Sequence, residues 1–238
     1  MRWTRRRPSA AAVRRGLVIL PSAAAAVLAG AAAFFLTLPD VEPLAKEFPK
    51  TTAFMERRRN ELAKDGKDAA LEWRPVPLAR ISPSMARAVI AAEDARFYEH
   101  EGVDWEAVRG AAERDWRGKR FGVGGSTVTQ QLAKNLYLSP ARTPWRKLRE
   151  WAIARRLEKT LSKKRILELY VNVIELGPRT FGVEAASRRY FGKSASALSP
   201  REAATLAAMI PAPRSFDPVR HPERLERRVR RILRGMGA

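Results

Sequence analysis

Apolar residues recur at helical spacing through most of this chain, and the polar residues between them repeatedly read as helix caps. Ser82-Pro83 is an N-cap followed by a first-turn proline. Ala86, Val89 and Ile90 then share a face; Glu93 continues that row, and Phe97 follows four residues on. Thr127 with Gln130 makes a capping box, with Val128, Leu132 and Leu136 as the apolar stripe behind it. Thr143-Pro144 opens a helix whose packed row reads Glu150, Ala154, Leu157 and Leu161. The pattern predicts helices over 51–68, 82–95, 104–117, 127–138, 143–161, 163–174, 180–190 and 199–210, and from His221 onward. The stretch 73–78, Trp-Arg-Pro-Val-Pro-Leu, must be extended because two prolines exclude helix there. No segment sustains period-two alternation, and no internal repeat is visible. The expected fold is therefore mostly α. The last helix carries Leu225, Val229, Ile232 and Leu233 on one side and arginines elsewhere, so it is expected to be a solvated or membrane-facing basic helix rather than part of a site.

The N-terminus departs from this amphipathic pattern. Arg2, Arg5, Arg6, Arg7, Arg14 and Arg15 precede residues 16–38, a run of 23 without a charge. As a helix that run is roughly 35 Å long, enough for a hydrocarbon core of about 30 Å. It predicts a transmembrane signal-anchor, with the arginines holding 1–15 in the cytoplasm and everything after Pro39 outside. A cleaved signal peptide is the competing reading, since the run is rich in alanine. The expected organisation is a basic tail (1–15), the anchor (16–38), a linker and membrane-proximal segment (39–76), a catalytic-sized domain (77–213) and the basic C-terminal helix (214–238).

A net charge of +21 and a pI near 11.3 call for an anionic partner. An outside location removes nucleic acid and leaves anionic lipid or a lipid-linked phosphate. With no cysteine and only two histidines, His100 and His221, there is neither a disulfide framework nor a thiolate or His-rich metal centre.

Four stretches carry chemistry. Glu93-Asp94 ends an apolar helical row and is followed at once by Phe97, His100 and Gly102. A carboxylate at an apolar position is costly unless paired or used. Two glycines, Gly124-Gly125, then approach a helix on which Thr127, Gln131, Lys134 and Asn135 fall within an arc of about 100°. Hydroxyl, amide and ammonium groups beside first-turn amides suit an anionic ligand. Arg146 and Lys147 precede Glu150 by four and three residues, the less favourable order for a helical ion pair, so stability is a weak motive for the arrangement. The fourth stretch, 163–172, reads mainly as core, with Tyr170 and Asn172 in structural roles; His100 reads as a prop behind the Glu93 loop.

Taken in order, these stretches resemble the glycosyltransferase family 51 domain of peptidoglycan synthesis. The matching elements are Glu-Asp-x-x-Phe-x-x-His-x-Gly at 93–102, Gly-x-Ser-Thr-x-Thr-Gln-Gln at 124–131, Arg-Lys-x-x-Glu at 146–150 and Lys-x-x-Ile-Leu-x-x-Tyr-x-Asn at 163–172. The resemblance implies a mostly helical, lysozyme-like domain with a smaller membrane-associated lobe containing 105–123, tethered by the N-terminal helix. It implies a polymerase that lengthens lipid-linked glycan with lipid II. Glu93 would be the general base and Glu150 an orienting or assisting carboxylate. Lys134, Arg142, Arg146 and Lys147 would stabilise the leaving pyrophosphate, and Ser126, Thr127, Gln131 and Asn135 would line the donor side. No cofactor is obligatory in this expectation, though a divalent cation (Mg2+ or Mn2+) is possible at the pyrophosphate. The membrane and other cell-wall synthesis proteins are the further partners it suggests. No Ser-x-x-Lys occurs, and 25 residues follow Pro213, so the expected form resembles the monofunctional enzyme rather than a penicillin-binding protein.

Two rivals remain at this level. A lytic transglycosylase cleaves glycan with one acid and needs no pyrophosphate clamp, which the cations around Lys134 argue against. A membrane-anchored scaffold without catalysis predicts that Glu93→Gln changes nothing.

Overall fold

The computed structural model describes residues 29–30, 32–118, 125–141, 143–219 and 221–237. Most of the predicted tail and anchor, 1–28 and 31, lies outside these residues. The chain divides into two compact units, Met1–Pro39 and Asp40–Ala238. In the first, residues 32–36 are helical. Among the described residues no helix is long and apolar enough to cross a membrane.

The second unit is mostly helical. Its helices are α1 (Ala53–Lys64), α2 (Pro83–Glu93), α3 (Trp105–Gly118), α4 (Val128–Tyr137), α5 (Pro144–Thr160), α6 (Lys163–Val173), α7 (Val183–Phe191), α8 (Pro200–Met209) and α9 (Glu223–Gly235). Their starts follow the capping chemistry. The Thr52, Ser82, Thr127, Thr143, Ser162 and Ser199 hydroxyls each accept a first-turn amide, and Thr127–Gln130 and Ser199–Glu202 close full capping boxes. Because α4 packs against α1, α5 and α6, it lies at the centre of the unit. Val128, Leu132 and Ala133 of α4 are fully buried, as are Ile153 and Leu157 of α5 and Ile166, Leu169 and Tyr170 of α6.

Residues 40–76 belong to this same unit. Arg165 of α6 donates to the carbonyls of Leu44 and Glu47, both at 2.7 Å, and its guanidinium lies 4.8 Å from the Phe48 ring. A small sheet completes the attachment, with β1 (Glu72–Trp73), β2 (Glu175–Gly177) and β3 (Thr180–Phe181) in the order β1-β3-β2. β1 runs parallel to β3, in register Glu72 with Thr180, and β2 runs antiparallel to β3. Asn172 stitches the extended stretch to α6: its amide donates to Val76 O (2.9 Å) and accepts from Val76 N (2.8 Å).

Two expectations need correction. Residues 180–181 are strand, and the helix predicted from Thr180 begins only at Val183. The reason is tertiary: Thr180 and Phe181 pair with a segment more than a hundred residues earlier, and two-residue strands carry no periodicity. Gly182 makes the turn between strand and helix at φ +77°, where a Cβ would lie 2.6 Å from Asn172 O. The last helix is not merely solvated. Leu225, Val229 and Ile232 are buried, and α9 packs on α8 and α2, closely enough that a Cβ on Gly235 would lie 3.1 Å from Ala91 Cβ.

Candidate active site

Glu93, the last residue of α2, is half-buried. Gln131 of α4 donates to its Oε2 at 2.8 Å. The other end of that amide, Oε1, accepts from the Tyr170 hydroxyl at 2.8 Å. Tyr170 is fully buried on α6, and burial together with Glu93 and Asp94 holds its phenol well above the ordinary range, so it remains a donor. A neutral phenol must meet the carbonyl end of Gln131, which turns the NH2 group toward Glu93. The local polar chain Tyr170–Gln131–Glu93 therefore orients the carboxylate. Burial raises the Glu93 pKa, opposed by the Gln131 hydrogen bond and by the charges of Arg228, Lys134 and Arg231. A carboxylate whose charged form is destabilised by burial is a stronger proton acceptor than a free one.

Asp94 has a different task. It is buried; His100 Nε2 donates to it at 3.0 Å, and the Val128 amide at the start of α4 donates to Oδ2 at 2.9 Å. Gly102 N–H donates to His100 Nδ1 at 3.2 Å, which fixes the ring with its proton on Nε2. Lys163 secures the same loop from below, donating to the His100 carbonyl at 2.5 Å and to Glu158 at 2.8 Å. Gly102 itself sits at φ +87° against Ala154 and Glu158, where a side chain would crowd them. The loop that carries Glu93 is thus tied to α4, α5 and α6.

On the cationic side, Glu150 is almost completely buried in α5. It bonds Arg146 through Oε2 and Lys147 through Oε1, the latter at 2.5 Å. The Lys147 ammonium also donates to Ser126 Oγ at 3.1 Å, so one cation joins the exposed serine to the buried carboxylate. Lys134 has no carboxylate within ion-pair distance among the described residues. Burial lowers its pKa, Glu150 and Glu93 oppose that, and Arg146 and Lys147 add to it. Its electrostatic coupling to both Glu150 and Glu93 links the two carboxylates.

Glu93, Asp94, Ser126 and Thr127 line one cleft with Arg96 and Asp104; Gln131, Lys134 and Asn135 line another. The N-cap of α4, Thr127, lines the first and the helix itself the second. The Thr127 hydroxyl is already engaged, donating to Gly102 O at 2.6 Å and accepting from Gln130 N at 3.1 Å, so the group acts as a helix cap. Asn135 is buried and donates back to Gln131 O at 2.8 Å. Arg142 lies outside the described residues.

Tyr170 is a core residue, as its apolar row predicts, but sequence reasoning misses the hydrogen bond it makes from the core to Gln131. It also misses two arginines of the last helix. Arg228 and Arg231 reach Glu93 electrostatically because α9 folds back onto α2. Nothing local in an arginine-rich helix distinguishes those two from their neighbours.

Residues 58–237 match the transglycosylase family. Three relatives, each named biosynthetic peptidoglycan transglycosylase, align over most of both chains. The protein of Nitrosospira multiformis is 50% identical over 190 residues, covering 80% of this chain and 83% of its own. That of Laribacter hongkongensis is 49% identical, covering 79% and 82%. That of Methylobacillus flagellatus is 51% identical, covering 77% and 80%. With half its residues shared over four-fifths of its length, this chain belongs to the transglycosylase family.

Proposed function

We propose that this protein is a peptidoglycan glycosyltransferase that lengthens lipid-linked glycan with lipid II, forming β-1,4 bonds and releasing undecaprenyl pyrophosphate. The observation that carries this reading is a half-buried carboxylate, Glu93, aimed by Gln131 of α4, with Lys134 on the same helix and a second, cation-bound carboxylate, Glu150, on the packed α5. The names of the relatives support it.

In the proposed reaction Glu93 takes the proton from the GlcNAc 4-hydroxyl of lipid II as that oxygen attacks the anomeric carbon of the growing chain. The anomeric C–O bond breaks, and its electron pair leaves on the pyrophosphate. That leaving group needs charge stabilisation more than a proton, and Lys134, Arg146 and Lys147 supply it, with Arg142 as a further candidate. Glu150 holds Arg146 and Lys147 in place. Ser126, bonded to Lys147, and Asn135, beside Lys134, are the donor-side contacts in this scheme, and Gln131 acts by orienting Glu93. Among the described residues no three acidic or His side chains converge to hold a metal ion. A divalent ion at the pyrophosphate would draw its ligands from phosphate and water, since both oxygens of Glu150 are already bonded to Arg146 and Lys147.

Residues 16–38 would anchor the chain in the inner membrane with the catalytic unit outside, and the charge of +21 favours a surface held against anionic headgroups. The deciding experiment supplies purified protein with lipid II or with finished glycan strands. Polymer from lipid II is expected. Release of anhydro-sugars from strands without polymerisation would establish the lytic reaction instead.

A further inference from the structure

The cleft lined by Gln131, Lys134 and Asn135 continues past the catalytic groups onto α1 and the loop after α8. Its far wall is cationic. Phe54 carries two cations on its ring, with Arg57 at 5.0 Å and Lys134 Nζ at 5.9 Å from the centroid. Arg214 enters from the loop after α8, donating to Glu175 at 3.1 Å and to Glu61 at 3.2 Å. Arg58 shares Glu61 at 3.0 Å. Among the residues that line the cleft three cations, Arg57, Lys134 and Arg214, face one carboxylate, Glu175, and the excess is positive. The Arg57 Nε is buried with no hydrogen-bond partner, although its NH1 reaches Glu61 at 3.1 Å. Gathering like charges on one aromatic ring, with a guanidinium N–H left unmatched, is unfavourable unless an anion joins them.

The rest of the lining indicates which anion. Ile174, Ile210, Pro211 and Pro213 make the cleft partly apolar, which a pyrophosphate does not require. A short peptide with small apolar side chains and free carboxylates matches both features, because planar guanidinium forks pair with carboxylates. Glycan of the peptidoglycan type carries such a peptide on the muramyl lactyl group. We infer that Arg57 and Arg214, beside Phe54 and the prolines after α8, form a subsite for a carboxylate of the peptide borne by the glycan held against Glu93. This inference rests on the polymerase reading above and extends it to a determinant of substrate choice.

The test compares lipid II with free stem-peptide carboxylates and lipid II in which they are amidated, using full-length protein in detergent. Wild-type protein is expected to prefer the acid form about tenfold in kcat/KM, chiefly through KM, which corresponds to one charge-assisted contact. Arg57→Gln is expected to bring that preference close to one, and Arg57→Lys to restore part of it. Thermal melting of each variant separates this from loss of fold, and Glu61 keeps Arg58 and Arg214 as partners when Arg57 is changed. Equal wild-type turnover of both substrates would overturn the subsite while leaving the polymerase reading intact. An equal loss on both substrates in Arg57→Gln would assign the cation to the pyrophosphate and also overturn it. No polymer from either substrate in wild-type protein would overturn the polymerase reading itself, and the subsite with it.

Discussion

Replacing Tyr170 by Phe removes one hydroxyl from a fully buried ring and leaves the packing volume of α6 almost unchanged. The consequence falls on Gln131, whose Oε1 loses its donor. A neutral hydrogen bond is worth about 1 kcal/mol net, and a buried acceptor left unmet costs about 1–3 kcal/mol. In the productive orientation the Gln131 carbonyl is then left unmet, and the flipped orientation sets it against the Glu93 carboxylate. A penalty of about 1.4 kcal/mol on the productive arrangement lowers kcat about tenfold. The pH dependence supplies the sign. Glu93 must be ionised to accept a proton, and burial already raises its pKa while the Gln131 bond lowers it. Weakening that bond lets the pKa climb further, so the acid limb of the kcat/KM profile moves to higher pH. The assay is polymerisation of lipid II by wild type and Tyr170→Phe across the acid limb, with thermal melting in parallel. A profile that superimposes on wild type, with only the melting temperature reduced, would refute the relay and leave Tyr170 a packing residue.

Glu93→Gln should lower polymerisation by about 10²–10⁴-fold, the usual worth of a general base, as read from lipid II turnover. The same change should raise the melting temperature above neutrality. A carboxyl whose folded pKa is raised contributes stability at low pH that is lost as pH rises through that pKa, and the neutral amide escapes the loss. Asp94→Ala leaves the Val128 amide and His100 Nε2 without their acceptor and should cost about 2 kcal/mol in urea unfolding. Gly182→Ala combines a positive φ with a Cβ 2.6 Å from Asn172 O, and should destabilise by about 1–3 kcal/mol in the same measurement. Glu150→Gln loosens Arg146 and Lys147, so kcat should fall while the fold survives, as checked by turnover and circular dichroism.

Helices and their starting residues were legible in the sequence because their causes are local. A hydroxyl three residues before an amide, a proline in the first turn and an apolar row at 3.6-residue spacing need no partner elsewhere in the chain. Glu150 was legible for the same reason: it is a carboxylate on an apolar row, and α5 buries that row from Glu150 to Leu161. The row that carries Glu93 is only partly buried: Val89 is in the core, whereas Ala86, Ile90 and Glu93 are half-buried at its edge because α2 turns Met85 and Ala88 inward instead. The tertiary structure decided everything that depends on which rows face one another. The three-stranded sheet exists only because 72–73 meets 180–181, and α9 joins the site only because it folds back onto α2. The division of labour within Glu93-Asp94 was settled in the same way. Glu93 is the last helical residue of α2, whereas Asp94 leaves the helix at φ −162°, so the two side chains set off in different directions. Which of them met Gln131, and which met His100 and the start of α4, depended on where α4 and α6 packed.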